Sequence, residues 1–156
     1  MKPVSVWLDE YAESHQHPFN VKIHTICVPL IMLSLVSLFS TISIDFLLLQ
    51  NFYNLNHLGT VLMLLTLVYY FFLSILFFAG MIPVTIMLIL VTRWLGSFSM
   101  PLWQLSLIIF VVAWIGQFYG HKVEGKKPSF FKDLQFLLIG PLWLLSKLYR
   151  YFGITY

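Results

Sequence analysis

Three stretches of this chain carry no ionised side chain: residues 25–44, 46–92 and 94–120. Within them only His57 titrates near neutrality. A helix that crosses the hydrocarbon core of a bilayer needs about 20 consecutive, mostly apolar residues, and these runs supply several such helices. Composition agrees: 60% of the 156 residues are hydrophobic and 10% charged, against about 45–50% and about 25% in soluble globular proteins. The expected fold is all-α, a polytopic membrane helical bundle forming a single membrane-embedded domain over residues 1–156. A transmembrane β-barrel is excluded, because its strands alternate over about ten residues instead of running unbroken.

The same reading removes several function classes. No Gly-rich phosphate loop and no Gly-x-Ser-x-Gly elbow is present. Cys27 is the only cysteine, so it forms no internal disulfide and no zinc cluster, and it is expected to pack as a small apolar residue. A net charge of +3 in so lipophilic a chain points to orientation in the bilayer, with no nucleic acid as partner. Asp9, Glu10 and Glu13 spoil a basic leader, and no small-residue cleavage site follows, so the first apolar run is expected to stay as a membrane helix.

Residues 4–16 read as a short amphipathic helix, with Val4, Trp7, Leu8 and Tyr11 at helical spacing and Asp9, Glu10 and Glu13 facing away. Pro18 ends it, since proline disfavours helical geometry in the residue before it. The first crossing is predicted from about Phe19 through Ile44, followed by a polar loop with Asp45, Gln50, Asn51, Asn54 and Asn56. Residues 57–79 form the second. Gly80-Met81-Ile82-Pro83 reads as a turn and 82–96 as a short third crossing, with Arg93 snorkelling to the interface. Gly96 to Pro101 is the next turn and 102–120 the fourth crossing. In the tail, 129–152, the apolar block Leu134 to Ser146 is too short to span. The expectation is about four transmembrane helices plus an N-terminal amphipathic helix and a C-terminal interfacial or re-entrant segment.

Four crossings put both termini on one side, together with Lys2, Lys22, Lys122, Lys126, Lys127, Lys132, Lys147 and Arg150. The positive-inside rule makes that side the cytoplasm, whereas three crossings would divide these charges. The membrane is then a bacterial inner membrane or the endoplasmic reticulum. Lys122, Lys126 and Lys127 are read mainly as orienting charges, with attraction of an anionic head group as a second role. Trp94, Trp103, Trp143, Tyr149 and Tyr151 lie where an aromatic belt is expected.

His15, His17, His24 and His121 fall near this cytoplasmic face, in two clusters that a four-helix bundle can bring together. Asn20 and His24 share a helix face, and a bend at Pro18 folds His15 back beside them. Gln117, His121 and Glu124 share a face at i, i+4, i+7. Imidazoles supported by amides and a carboxylate suit zinc, iron, copper or nickel, the supporting groups holding each ring in its ligating tautomer. The spacing alone leaves the metal open. It also leaves open a non-enzymatic membrane scaffold or lipid-binding protein with wetted interfacial histidines. A bis-histidine haem protein fits less well, because the histidines cluster at helix ends. His57 is expected on the opposite side as an ordinary interface residue.

Two segments are more specific. Residues 11–30, YAESHQHPFNVKIHTICVPL, and residues 114–128, WIGQFYGHKVEGKKP, resemble the opening and closing motifs of the yeast Mpo-type 2-hydroxy fatty acid dioxygenases and their bacterial relatives. The resemblance covers the whole chain in length and order. It implies an Fe2+-dependent α-oxidation in which a 2-hydroxy fatty acid reacts with O2 and is shortened by one carbon. In yeast-type members this serves phytosphingosine breakdown at the endoplasmic reticulum. The family's histidines fall on His15, His24 and His121 as metal ligands, with Asn20, Gln117 and Glu124 matching as catalytic support and Pro128 also matching. On such a site Glu124 is expected to orient His121 or move a proton. His17 stands where asparagine is more usual, and the Lys147–Tyr156 tail replaces an acidic ending.

Overall fold

The computed structural model describes residues 2–44, 56–125 and 136–156. Asp45, Gln50, Asn51, Asn54, Lys126, Lys127, Pro128, Lys132 and Leu134, all used above, lie outside them. The described residues form six helices: α1 (Val4–Ala12), α2 (Pro18–Phe39), α3 (Leu58–Leu73), α4 (Ile75–Leu95), α5 (Leu102–Glu124) and α6 (Ile139–Tyr151). Three of them, α2, α4 and α5, are long and apolar enough to cross a bilayer, and α3 is a shorter apolar helix of 16 residues, about 24 Å at the usual rise. Leu65, Phe72, Ile75, Val112 and Ile115 are exposed on their outer faces. Such side chains belong against lipid.

Three of the boundary differences from the sequence reading shape the fold. The first helix stops at Ala12, not residue 16, because the chain turns back through His15, whose N–H donates to the Ala12 carbonyl at 3.0 Å. His17 then takes the extended geometry that Pro18 demands (φ −69°, ψ 126°), and Pro18 opens α2 at a position where a proline's missing N–H costs nothing. At the far end α2 stops at Phe39, short of Ile44, and Ser43 pairs as an isolated bridge with His57.

The third difference is the corner between α3 and α4. It falls at Ser74, not at Gly80–Pro83, which lie inside α4. Ser74 is extended (φ −167°, ψ 124°), yet its N–H donates to the Tyr70 carbonyl at 2.8 Å and its carbonyl accepts from Phe78 N–H at 2.9 Å. A single residue thus makes the corner while both of its own backbone groups stay hydrogen-bonded. Gly80 serves packing instead: a Cβ there would strike the Tyr149 hydroxyl and Leu145 on α6. Pro83 leaves one carbonyl without its helical donor, a defect membrane helices tolerate.

Helix α2 is the central post. It runs antiparallel to α5, with Asn20 against Gly120 and Cys27 against Gly116. At its other end it meets α3 through Gly59, where a Cβ would collide with the Val36 carbonyl and Ser40. Ser37 and Thr92 hydroxyls hydrogen-bond at 2.9 Å between α2 and α4. Glycines at four-residue spacing let two membrane helices approach closely, and Gly116 and Gly120 do so at the end that holds the histidines. The tail segment is well packed: Ile139, Leu142, Trp143 and Ser146 of α6 are buried against α1, α2 and α4. Tyr149 donates to the Leu76 carbonyl at 2.8 Å and Tyr70 to the Leu138 carbonyl at 2.7 Å.

Candidate metal centre

Three elements deliver one imidazole each. His15 comes from the turn between α1 and α2, His24 from the second turn of α2, and His121 from the last turn of α5, which continues past residue 120 to Glu124. All three are buried, and their ligand-capable atoms lie within 4.8 Å of one another. The ring centroids of His15 and His24 are 4.2 Å apart, those of His24 and His121 4.8 Å, and those of His15 and His121 5.3 Å, each pair steeply inclined.

The ring tautomers follow from the backbone. His15 Nδ1 is 2.6 Å from the Tyr11 carbonyl and His24 Nδ1 is 3.0 Å from the Asn20 carbonyl. A carbonyl only accepts, so both Nδ1 atoms carry the proton and both Nε2 atoms keep a lone pair. His15 Nε2 is buried with no hydrogen-bond partner among the described residues. A buried, unsatisfied lone pair costs free energy, and a cation bound by the three histidines is what would satisfy it. Burial pushes the His15 imidazole down to about 4, against the raising effect of the Tyr11 carbonyl, and nearby His121 lowers it further. His15 is therefore neutral, as a ligand must be. The donor set fits a borderline divalent metal such as iron or zinc.

The supporting residues named from the sequence are also here. Asn20 is fully buried and donates from Nδ2 to the Ser14 carbonyl and to Glu124 Oε2, both at 3.1 Å. Glu124 also accepts from the backbone N–H groups of Gln16 (3.0 Å) and His17 (2.8 Å). Its carboxylate thereby ties the end of α5 to the turn that carries His15. Gln117 is buried one turn before His121 and hydrogen-bonds the His24 ring. His17 stands apart. It is exposed and caps α2, its Nδ1 accepting from Phe19 N–H at 3.2 Å. His57 lies at the opposite end of the bundle, beside Ser43.

A cavity of about 30 Å³ adjoins the cluster, lined by His15, His24, Gln117, Tyr11, Trp114 and Leu137 among others. That is room for one or two water-sized groups.

The sequence reading missed three contributors. Tyr11 stacks on His15 at 4.1 Å with nearly parallel rings, Trp143 covers the same imidazole at 5.2 Å, and Lys147 sits 3.5 Å over Trp143. Tyr11 lies four residues before His15, a readable spacing, but Trp143 comes from the tail and no local signal links it to the site. Gly116 and Gly120 were legible as a small-x-x-x-small pair.

The model of a protein family described as Mpo1-like, 2-hydroxy-palmitic acid dioxygenase Mpo1-like, matches residues 1–152. No curated protein and no solved structure matches the chain.

Proposed function

This chain belongs to the Mpo1-like family, and on that premise we propose that it is an iron(II)-dependent dioxygenase that shortens 2-hydroxy fatty acids by one carbon. The observation that carries this reading is the convergence of three buried imidazoles, two of which, His15 and His24, have Nδ1 held by a backbone carbonyl so that Nε2 keeps its lone pair. The reaction balances without an outside reductant: a 2-hydroxy acid and O2 give the next shorter acid, CO2 and water. The bond between C1 and C2 breaks, C2 is oxidised from the alcohol to the carboxylic acid level and C1 to CO2, and the four electrons released reduce O2.

His15, His24 and His121 would hold the iron, leaving positions open as in other oxygen-activating non-haem sites. Bound there, iron supplies O2 activation and chelation of the substrate's carboxylate and 2-hydroxyl. The chain's own residues do the rest. The Tyr11 and Asn20 carbonyls fix ring tautomers and orientation. Glu124 is a positioning residue, holding the His15 turn and Asn20 in place. Gln117 presents an amide to the cavity and can orient a substrate oxygen. Tyr11 and Trp143 exclude bulk water from the His15 ring.

In this proposal the chain works as one domain with four crossings. Directions support that count: α2 and α4 run one way, α3 and α5 the other. Lys2, Lys22, Lys122, Lys147 and Arg150 gather at the histidine end and Arg93 at the other, which by the positive-inside rule supports a cytoplasmic site with both termini on the same side. The test is to supply iron-loaded protein in detergent with 2-hydroxyhexadecanoic acid and O2. One pentadecanoic acid and one CO2 per O2 consumed are expected. Iron-loaded protein that leaves every 2-hydroxy acid unchanged would overturn the proposal.

A further inference from the structure

We infer that the substrate's acyl chain lies in the apolar groove between α2 and α3, and that Leu35 and Phe39 set the chain length accepted. The inference deepens the dioxygenase reading and rests on it for the position of the carboxyl end. The histidine cavity, about 30 Å³, holds a small polar group and not a hydrocarbon chain, so the chain must leave it. A cavity of about 390 Å³ opens between α2 and α3, within the usual range for ligand pockets. Leu137 lines both spaces, so they adjoin across one side chain.

From Leu137 the groove runs past Thr66, Met32 and Met63 to Phe39 and Gly59 at the opposite end of α2. Among the described residues that line it the only hydroxyl, on Thr66, is already spent on the Leu62 carbonyl at 2.8 Å, so this lining asks for no polar partner. Leu62, on its rim, is exposed, so an acyl chain can enter sideways from lipid. A rival apolar cavity of about 330 Å³ lies between α2 and α4. Val28 lines both it and the histidine cavity, but on α2 its lining ends at Met32, about 12 Å along the axis from His24, short of the length of a 16-carbon chain.

Length selects the occupant. Leu35 and Phe39 follow His24 by eleven and fifteen positions on α2, or about 16 and about 22 Å along the axis. An extended hydrocarbon chain advances about 1.25 Å per carbon, from C–C bonds of about 1.5 Å at near-tetrahedral angles. A carboxyl group at the histidines therefore brings about carbon 13 level with Leu35 and about carbon 18 level with Phe39. A 16-carbon acid ends between them.

Two independent readouts test this on the full-length, iron-loaded protein. Leu35→Trp fills the groove midway and should lower the ratio of kcat/KM for the 16-carbon over the 10-carbon 2-hydroxy acid by at least about tenfold, with iron content unchanged. Met87→Trp, in the rival cavity, should leave that ratio alone. Independently of turnover, a 2-hydroxyhexadecanoic acid with a diazirine near its methyl end should label α2 and α3 around Phe39 and Gly59. Labelling confined to α4 or α6, or an unchanged ratio in folded Leu35→Trp, would overturn the groove. Labelling of α2 and α3 without turnover of any 2-hydroxy acid would keep the groove and overturn the dioxygenase reading.

Discussion

Glu124→Ala removes one acceptor that holds three donors: Gln16 N–H at 3.0 Å, His17 N–H at 2.8 Å and Asn20 Nδ2 at 3.1 Å. A hydrogen bond to a charged group contributes about 1.5–3 kcal/mol, but these three do not count equally. Gln16 and His17 are exposed, so water takes over at their N–H groups and most of their share is recovered. Asn20 is fully buried, so the second N–H of its amide is left without an acceptor while the first stays on the Ser14 carbonyl. The sum is about 2–3 kcal/mol against the docked turn. His15 rides on that turn, and every 1.4 kcal/mol is about tenfold in an equilibrium constant, so iron affinity should fall by about 10–100-fold, the range for loss of groups that support metal ligands. Glu124→Gln keeps one acceptor oxygen and should fall between. Anaerobic Fe(II) titration against a competing chelator reads the affinity, with gel filtration and thermal unfolding as checks on folding. A folded Glu124→Ala protein with wild-type iron affinity would refute the argument that this carboxylate holds the site together.

Other substitutions and conditions separate the parts. Gly120→Ala puts a methyl group into Asn20, and overpacking of this kind costs about 1–3 kcal/mol. Thermal unfolding should register that loss, with weaker iron retention, whereas Gly125→Ala, with open space around it and a left-handed backbone (φ 74°), should cost stability alone. His17→Asn keeps a good N-cap and should leave iron content and turnover unchanged; loss of iron would show that His17 does more than cap α2. The pH dependence has a definite sign. His15 titrates at about 4 in the fold and near 6.5 when unfolded, so the unfolded chain takes up the proton first. His15's contribution to the stability of the metal-free protein is complete above about pH 6.5 and should drop by about 3 kcal/mol as the pH falls to about 4. Denaturant titrations at the two ends of that window measure it, and His15→Gln should lack this component.

Much of this architecture is written in local patterns. The charge-free runs mark α2 to α5 as apolar helices, and the i, i+4, i+7 spacing of Gln117, His121 and Glu124 puts them on one face. The bend at Pro18 accounts for His15 turning back toward His24. What resisted reading is tertiary. Gly80 and Pro83 carry the strongest turn signals in their region, yet the corner forms at Ser74, because Gly80 is needed where Tyr149 and Leu145 press against α4. The tail gave no hint of its partners. Its Trp143 reaches His15 only because α6 packs across α1, α2 and α4 at the histidine end. Glu124 was placed beside His121 by spacing, but its recorded hydrogen bonds reach the His15 turn and Asn20, residues more than a hundred positions away in sequence. Local periodicity carries no information about such a clasp.

The central claim is that His15, His24 and His121 hold one iron ion, and metal content tests it most directly. Elemental analysis of detergent-purified protein without a histidine tag, loaded anaerobically with Fe(II) and desalted, should give close to one iron per chain. His24→Ala and His121→Ala, checked for folding by gel filtration, should retain almost none. Zinc held in preference to iron would contradict the oxygen chemistry. No stoichiometric metal in the loaded wild-type protein would contradict the site itself.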